Sequence, residues 1–249
     1  MDNSQRIQNI IKKKNYKWLI TGVAGFIGSN LLERLLLLNQ RVYGIDNFSN
    51  GSKSNLIDVK NNVSKKQWKK FEFIKCDLTQ INNYKQKIGK IDFVLHQAAR
   101  GSVLKSIINP IKTNHSNVTG FLEILKFSKD LNVKSFIYAS SSSVYGDSKF
   151  LPKKESKVGK VLSNYALTKK INEEYSELFF KLYNFKTIGF RYFNVFGQRQ
   201  NPEGDYAAVI PRWINKVIKG EKIYIFGDGK TSRDFTPISY VVDINLLAA

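Results

Sequence analysis

The 249-residue sequence predicts an α/β fold, a doubly wound parallel sheet followed by a smaller C-terminal part. Three observations predict it. Short apolar runs alternate with longer stretches of helical periodicity, as strands joined by crossover helices do. The first run leads into Gly22-Val-Ala-Gly25-Phe-Ile-Gly28, whose glycines suit a tight strand-to-helix turn. A later apolar strand closes on four serines, Ser140, Ser141, Ser142 and Ser143, ahead of Tyr165 and Lys169. Those two are spaced to share one helix face.

Each element follows from local pattern. Residues 16–21 read as the first strand and 27–39 as an amphipathic helix; 41–46 is the second strand and 71–76 the third. Residues 91–96, 135–139 and 187–192 are the fourth, fifth and sixth. The polar, turn-rich 47–64 reads as a loop with a short helix. Residues 113–131 and 163–182 carry apolar side chains at helical spacing. After Tyr192 the pattern changes: a helix over 207–218, a strand over 222–226, a turn at Gly227-Asp-Gly-Lys230, a short strand over 233–238 and a helix starting at Asp243. The sequence stops at Ala249 mid-pattern, which reads as the front three-quarters of a longer protein. No internal repeat is present.

Composition narrows the class. Hydrophobic residues are 42% and charged residues 24%, ordinary for a soluble domain. No apolar run approaches the roughly 18 residues that span a bilayer, and residues 1–17 lack a signal-peptide core. The single cysteine, Cys76, fits a reducing cytoplasm and a packed thiol. With two histidines beside it, a zinc cluster is not expected. The formal charge of +20 is the unusual number. Its lysines are scattered through loops and helix faces without a nucleic-acid-binding signature, so they read as solvated surface, with no nucleic acid as partner and no membrane insertion.

The glycine turn is a dinucleotide cradle of the Rossmann type. One glycine makes the turn, one admits the pyrophosphate and one lets the helix pack close to the sheet. The first residues of that helix, Phe26 and Ile27, put its N-terminal amides against phosphate. Asp46 ends the second strand, placed to accept from a ribose hydroxyl and repel a 2'-phosphate, which favours NAD over NADP. Asp77 and Leu78 follow the third strand, near the adenine. Tyrosine, ordinarily near pKa 10, becomes a usable base only beside cations; the Lys169 ammonium and a cationic nicotinamide would supply them.

With these motifs in order, the chain resembles the extended short-chain dehydrogenase/reductase family, most of all its bacterial UDP-N-acetylglucosamine 4-epimerases. The likeness runs from Trp18 onward through Thr21-Gly-Val-Ala-Gly-Phe-Ile-Gly-Ser-Asn30, Asp46-Asn-Phe-Ser-Asn-Gly51 and His96-Gln-Ala-Ala-Arg-Gly-Ser-Val103. It continues in Ala139-Ser-Ser-Ser-Ser-Val-Tyr-Gly-Asp147, Arg191-Tyr-Phe-Asn-Val-Phe-Gly197 and Phe226-Gly-Asp-Gly-Lys-Thr-Ser-Arg-Asp-Phe235. The resemblance implies that Tyr165 is the acid/base and that Lys169 binds the nicotinamide ribose. Ser141 would hold the sugar hydroxyl, with Ser142 and Ser143 as further candidates. Asn47, Asn50, Gly51 and Gln97 would border NAD, and Gly101 and Ser102 the sugar. Asn194 and Arg233 would hold the UDP diphosphate. Arg100 adds a charge where similar epimerases carry an apolar residue.

The implied organisation is an NAD-binding domain over 1–195, part of a substrate-binding domain over 196–233, and a return segment over 234–249. The implied partners are a UDP-sugar and a second copy. Helices 113–131 and 163–182 would form a four-helix bundle in a homodimer, with Phe121, Leu125, Tyr175, Phe179 and Leu182 as surplus apolar positions. The implied reaction is 4-epimerisation through a transient 4-keto sugar, serving surface polysaccharide such as lipopolysaccharide O-antigen. UDP-GlcNAc/UDP-GalNAc, their uronates or UDP-Glc/UDP-Gal are the possible pairs. The rivals are a UDP-glucuronate epimerase, a dehydratase or decarboxylase, and a non-catalytic NAD-binding protein. Ser142 and Ser143 stand where a dehydratase needs a carboxylate pair.

Overall fold

A computed structural model describes residues 3–203, 208–225 and 227–249. Helix α1 (Asn3–Lys12) leads into strand β1 (Lys17–Thr21), helix α2 (Phe26–Leu37) and strand β2 (Arg41–Asp46). Helix α3 (Lys53–Asn62) precedes β3 (Phe71–Lys75), followed by β4 (Phe93–His96), β5 (Ser135–Ala139) and β6 (Thr187–Phe190). The six strands form one parallel sheet in the order β3-β2-β1-β4-β5-β6, as a doubly wound fold requires. β7 (Val195–Phe196) and β8 (Thr236–Pro237) form a separate two-stranded parallel pair.

Alternation along each strand sends successive side chains into two cores. Leu19, Val94 and Phe136 pack with Phe121, Leu125 and Phe179 on one face. Ile20, Leu95 and Ile137 pack with Leu31, Leu35 and Val241 on the other. Each such side chain contributes about 1.5–3 kcal/mol by leaving water. Two buried faces explain why the strands read as nearly unbroken apolar runs.

The short helix expected within 47–64 is present as α3, started by Ser52, whose side chain accepts from the Ser54 amide. Several other expectations need correction. Helix 113–131 begins earlier, at Pro110, and passes through a wider π turn over His115–Thr119 before Gly120–Asp130. Residues 222–225 form no strand, and Phe226 lies outside the described residues. The helix expected over 207–218 is Val209–Ile218, with Ala207 outside the described residues. The last helix, Ile238–Ala248, starts five residues before Asp243 and buries Ile238, Val241, Val242 and Leu246. Helix α1 had no sequence expectation. Gln40 ties it down, its buried amide donating to the carbonyls of Ile11 and Lys14 while accepting from the Tyr16 amide.

The apolar positions chosen for a dimer bundle also change. Phe121, Leu125 and Phe179 belong to the chain's own core, and Tyr175 packs against it. Of the five, Leu182 is the exposed one. Helical periodicity marks a buried face without saying whose surface covers it.

Candidate active site

All six strands of a parallel sheet end at one edge, and the site residues gather there. Gly22 has φ +70°, a left-handed conformation suited to glycine, and its amide donates to the Ile45 carbonyl at 2.8 Å. A Cβ on Gly28 would lie 2.1 Å from the Gly22 carbonyl oxygen, so only hydrogen fits between the α2 start and the turn. Gly25 sits between them, and Phe26 and Ile27 open α2 half-buried. This is a cradle whose glycines cannot be replaced without moving backbone.

Asp46 faces the turn. It accepts from the Ala24 amide at 3.0 Å and from the Phe48 amide at 2.7 Å. Burial pushes its carboxyl above the usual range, while the two amides work the other way. A Cβ on Gly51 would meet an Asp46 oxygen at 2.8 Å, so glycine is needed where the next loop crosses the carboxylate. Asn47 donates to Asp77 at 2.8 Å, and Asn50 donates to the Ala99 carbonyl at 3.1 Å. Burial raises the Asp77 carboxyl, but the Thr79 and Asn47 hydrogen bonds outweigh it and hold it low. Gly22, Gly25, Asp46, Asn47, Asn50, Gly51, Asp77, Leu78 and Gln97 line one cleft. A glycine cradle ending in a buried acid fits a dinucleotide, with the acid against a ribose. Cys76 also borders this cleft, its thiol pushed up to about 11 by burial and Asp77, which makes it a packed rather than a reactive thiol.

The catalytic candidates sit at the ends of β5 and at the start of the Asn164–Tyr183 helix. Ser141 caps a 3-10 turn, accepting from the Ser143 amide at 3.2 Å and the Ser143 hydroxyl at 2.9 Å. The Tyr165 hydroxyl meets Ser141, which singles it out from Ser142 and Ser143. Ser142 is held by its backbone, its amide donating to the Tyr192 carbonyl. Burial raises the Tyr165 phenol and the Ser141 hydrogen bond opposes that. The expected lowering by Lys169 does not arise among the protein groups alone. Lys169, 1% exposed, donates to the Ala139 carbonyl at 2.6 Å, and burial pushes its ammonium down to about 8. At neutral pH the lysine still keeps most of its charge, but it now titrates within reach of the working range.

Sequence reasoning missed the group beneath them. Glu173 lies one turn beyond Lys169 on the same helix face, which was the available signal. It accepts from the Ser140 hydroxyl and takes both Arg191 Nε, at 2.9 Å, and Nη2, at 2.7 Å. This bidentate pair fixes the serine strand end against the helix. Thr21 and His96 are a second such support. The Thr21 hydroxyl accepts from the Ala98 amide and bonds His96 Nδ1 at 2.7 Å. Burial drives His96 down to about 3, so it is neutral. Asn117 clasps the Arg100 backbone at both amide and carbonyl and also donates to Thr168. It thereby ties the loop carrying Gly101 and Ser102 to the catalytic helix. Gly101 is open, whereas Ser102 caps the next helix by accepting from the Lys105 amide.

Asn194 and Arg233 line a second cleft rather than the first. Asn194 donates to the Asp234 carbonyl at 2.9 Å, and Arg233 to the neighbouring Ser232 carbonyl. Arg212 and Lys216, one helical turn apart, add cations, and Trp213, Tyr224 and Phe235 add aromatic walls. Cations beside flat rings suit a nucleoside diphosphate. The periodicity of 207–218 signalled a helix, not which of its polar residues face a cleft. Among the described residues no group of His, Cys, Asp and Glu could hold a metal, and no helix is long and apolar enough to cross a membrane.

Comparison with known proteins agrees with this geometry. Residues 18–249 match the model of the NAD dependent epimerase/dehydratase family. A putative UDP-glucose 4-epimerase of Methanocaldococcus jannaschii is 36% identical over 92% of this chain and 72% of its own length. A UDP-glucuronate 4-epimerase of Thermodesulfobacterium geofontis is 37% identical over 91% of this chain and 68% of its own length. The solved UDP-N-acetylglucosamine 4-epimerase of Methanobrevibacter ruminantium M1, in complex with UDP-N-acetylmuramic acid, superposes with TM-score 0.85 at 36% identity, covering 94% of this chain and 73% of that one.

Proposed function

The chain belongs to the NAD-dependent epimerase/dehydratase family, and from that premise we propose that it is a 4-epimerase of UDP-N-acetylhexosamines. It would interconvert UDP-GlcNAc and UDP-GalNAc for surface-polysaccharide synthesis. The observation that carries the reading is Tyr165 meeting Ser141 above the buried Lys169. The cofactor is NAD, as the family requires. When bound, it supplies the group that takes a hydride from the sugar and returns it.

The residues divide the remaining work. Ser141 orients the sugar 4-hydroxyl, and Tyr165 takes its proton as the carbon is oxidised, then returns it to that oxygen when the carbon is reduced from its opposite face. Lys169 holds the cofactor ribose and adds its charge when protonated. Gly22, Gly25 and Gly28 admit the pyrophosphate, and Asp46 accepts from the adenosine ribose. Asn194 and Arg233, joined by Arg212 and Lys216, hold the diphosphate while the keto sugar turns over. In this reading residues 1–195 bind NAD, 196–233 contribute to the sugar site, and 234–249 return to the sheet, as the burial of Val241 and Leu246 supports. A dimer through the two long helices would use Leu178 and Leu182 with Ile111, 46%, 61% and 83% exposed. A cytoplasmic location suits the free, buried Cys76.

Incubation with UDP-GlcNAc, UDP-Glc and UDP-glucuronate, with products followed by NMR, tests the substrate. UDP-GalNAc as the fastest product supports the proposal; turnover of UDP-glucuronate alone replaces it with the uronate reading.

A further inference from the structure

The formal charge of +20 acquires a location in the fold. Because the sheet is parallel, all its strands begin at the edge opposite the cofactor cleft. Lys17 opens β1 and pairs in register with Arg41, which opens β2. Lys70 immediately precedes β3, Lys134 precedes β5 and Lys186 precedes β6. At strand spacings of about 4.8 Å, they span an edge about 24 Å long, interrupted at β4, where Asp92 stands among them. Lys12, Lys13 and Lys14, all exposed, follow α1 into the same edge. The lysines are therefore not merely scattered, as the sequence suggested.

Asp92 neutralises Lys134 within the row, and the other acids at this edge pair with cations outside it. Glu72 is paired with Lys87, Asp92 with Lys134, and Asp130 with Lys126 and Lys129. Among the described residues, Lys12, Lys13, Lys14, Lys17, Arg41 and Lys186 form no ion pair with a carboxylate. Helix C-termini ending here offer only about half a negative charge each, too little to balance the excess.

We propose that this strand-entry face docks on an anionic lipid-bilayer surface, leaving the cofactor cleft on the far side open to solvent. A planar anionic surface matches a broad row of long cationic side chains. Polynucleotide binding without sequence preference needs ring faces on which bases stack. Here Tyr16 lies under Lys134 and packs edge-on against Trp18 and Phe93. Beside Lys12, α1 exposes Ile10 at 51%, an apolar side chain at the height of the headgroups.

The test is flotation of the protein with phosphatidylglycerol-rich vesicles and with pure phosphatidylcholine vesicles, at low and high salt. Binding to the anionic vesicles alone, lost at high salt, is expected. Lys12→Gln, Lys13→Gln and Lys14→Gln combined should weaken it about 100-fold. Lys154→Gln, Lys157→Gln and Lys160→Gln combined change the net charge equally on a loop at the opposite edge, and should weaken it far less. Equal loss in both triple variants, or no binding to anionic vesicles, overturns the proposal. Tighter binding to single-stranded RNA than to vesicles at the same salt overturns it in favour of a polynucleotide. None of these readouts depends on epimerase activity.

Discussion

Gly28→Ala adds one methyl group where the structure has no room. The new carbon would lie 2.1 Å from the Gly22 carbonyl oxygen, 2.8 Å from its carbonyl carbon and 2.9 Å from the Val23 Cα. A nonbonded carbon needs about 3.5 Å, so the helix start or the turn must move by more than about 1 Å. Both obstacles are backbone, and α2 is anchored by fully buried Leu31, Leu32, Leu35 and Leu36. Overpacking of this kind costs about 1–3 kcal/mol, or more. Alanine returns up to about 1 kcal/mol of helix propensity, so the net loss is between about 0 and 3 kcal/mol. The amides around Gly22 and Gly25 shift with it, and NAD affinity should fall at least about tenfold, equivalent to about 1.4 kcal/mol. Urea unfolding and calorimetric NAD titration measure the two effects. Gly120→Ala is the stability control, since its Cβ would press on the Leu78 side chain at 3.3 Å and otherwise lie in ordinary contact with the His115 carbonyl at 3.8 Å. NAD affinity within twofold of the parent in Gly28→Ala, with a urea midpoint matching the control, refutes the cradle.

Asp46→Ala removes the acceptor shared by the Ala24 and Phe48 amides, so NAD affinity should fall while discrimination against NADP relaxes; comparative titrations with both cofactors check this. Lys169→Met acts on stability through pH. The unfolded lysine keeps its proton to about 10.5, whereas the folded one releases it near 8, so stability rises with pH across that window. The difference is worth about 3 kcal/mol, and losing the Ala139 hydrogen bond takes back about 1. Lys169→Met should thus be more stable than the parent by about 2 kcal/mol at pH 7, with the gain gone by about pH 10.5, as urea unfolding across pH reports. For association, Leu178→Arg should shift a dimer to monomer in sedimentation at micromolar concentration; a parent already monomeric there counts against the bundle.

The sheet was legible because burial on both faces leaves near-continuous apolar runs, and β2 and β5 begin and end where pattern places them. The glycine turn was legible because backbone geometry restricts the residue type. Less local features were not. Residues 222–225 alternate like a strand, but no neighbouring strand pairs with them among the described residues. Phe121 and Phe179 looked surplus because a helix pattern cannot show that both sides of a wide apolar stripe meet the same sheet. Glu173 and Arg191 lie 18 residues apart and act as one group only after β6 returns beside β5. Lys169 alone does not lower the Tyr165 phenol, because the phenol's own burial, which a helix pattern cannot show, outweighs its neighbours.

The central claim is that Tyr165 moves the proton of the sugar hydroxyl. Tyr165→Phe removes one oxygen, leaving the ring beside Ala166 and Lys169 and leaving Asn194 and Arg233 in the second cleft. Steady-state epimerisation of UDP-GlcNAc, followed by NMR with NAD titrated in parallel, measures the consequence. The account predicts that kcat falls by about 10² to 10⁴ while NAD affinity and UDP-sugar KM change little. Epimerisation by Tyr165→Phe at the parental rate would contradict it.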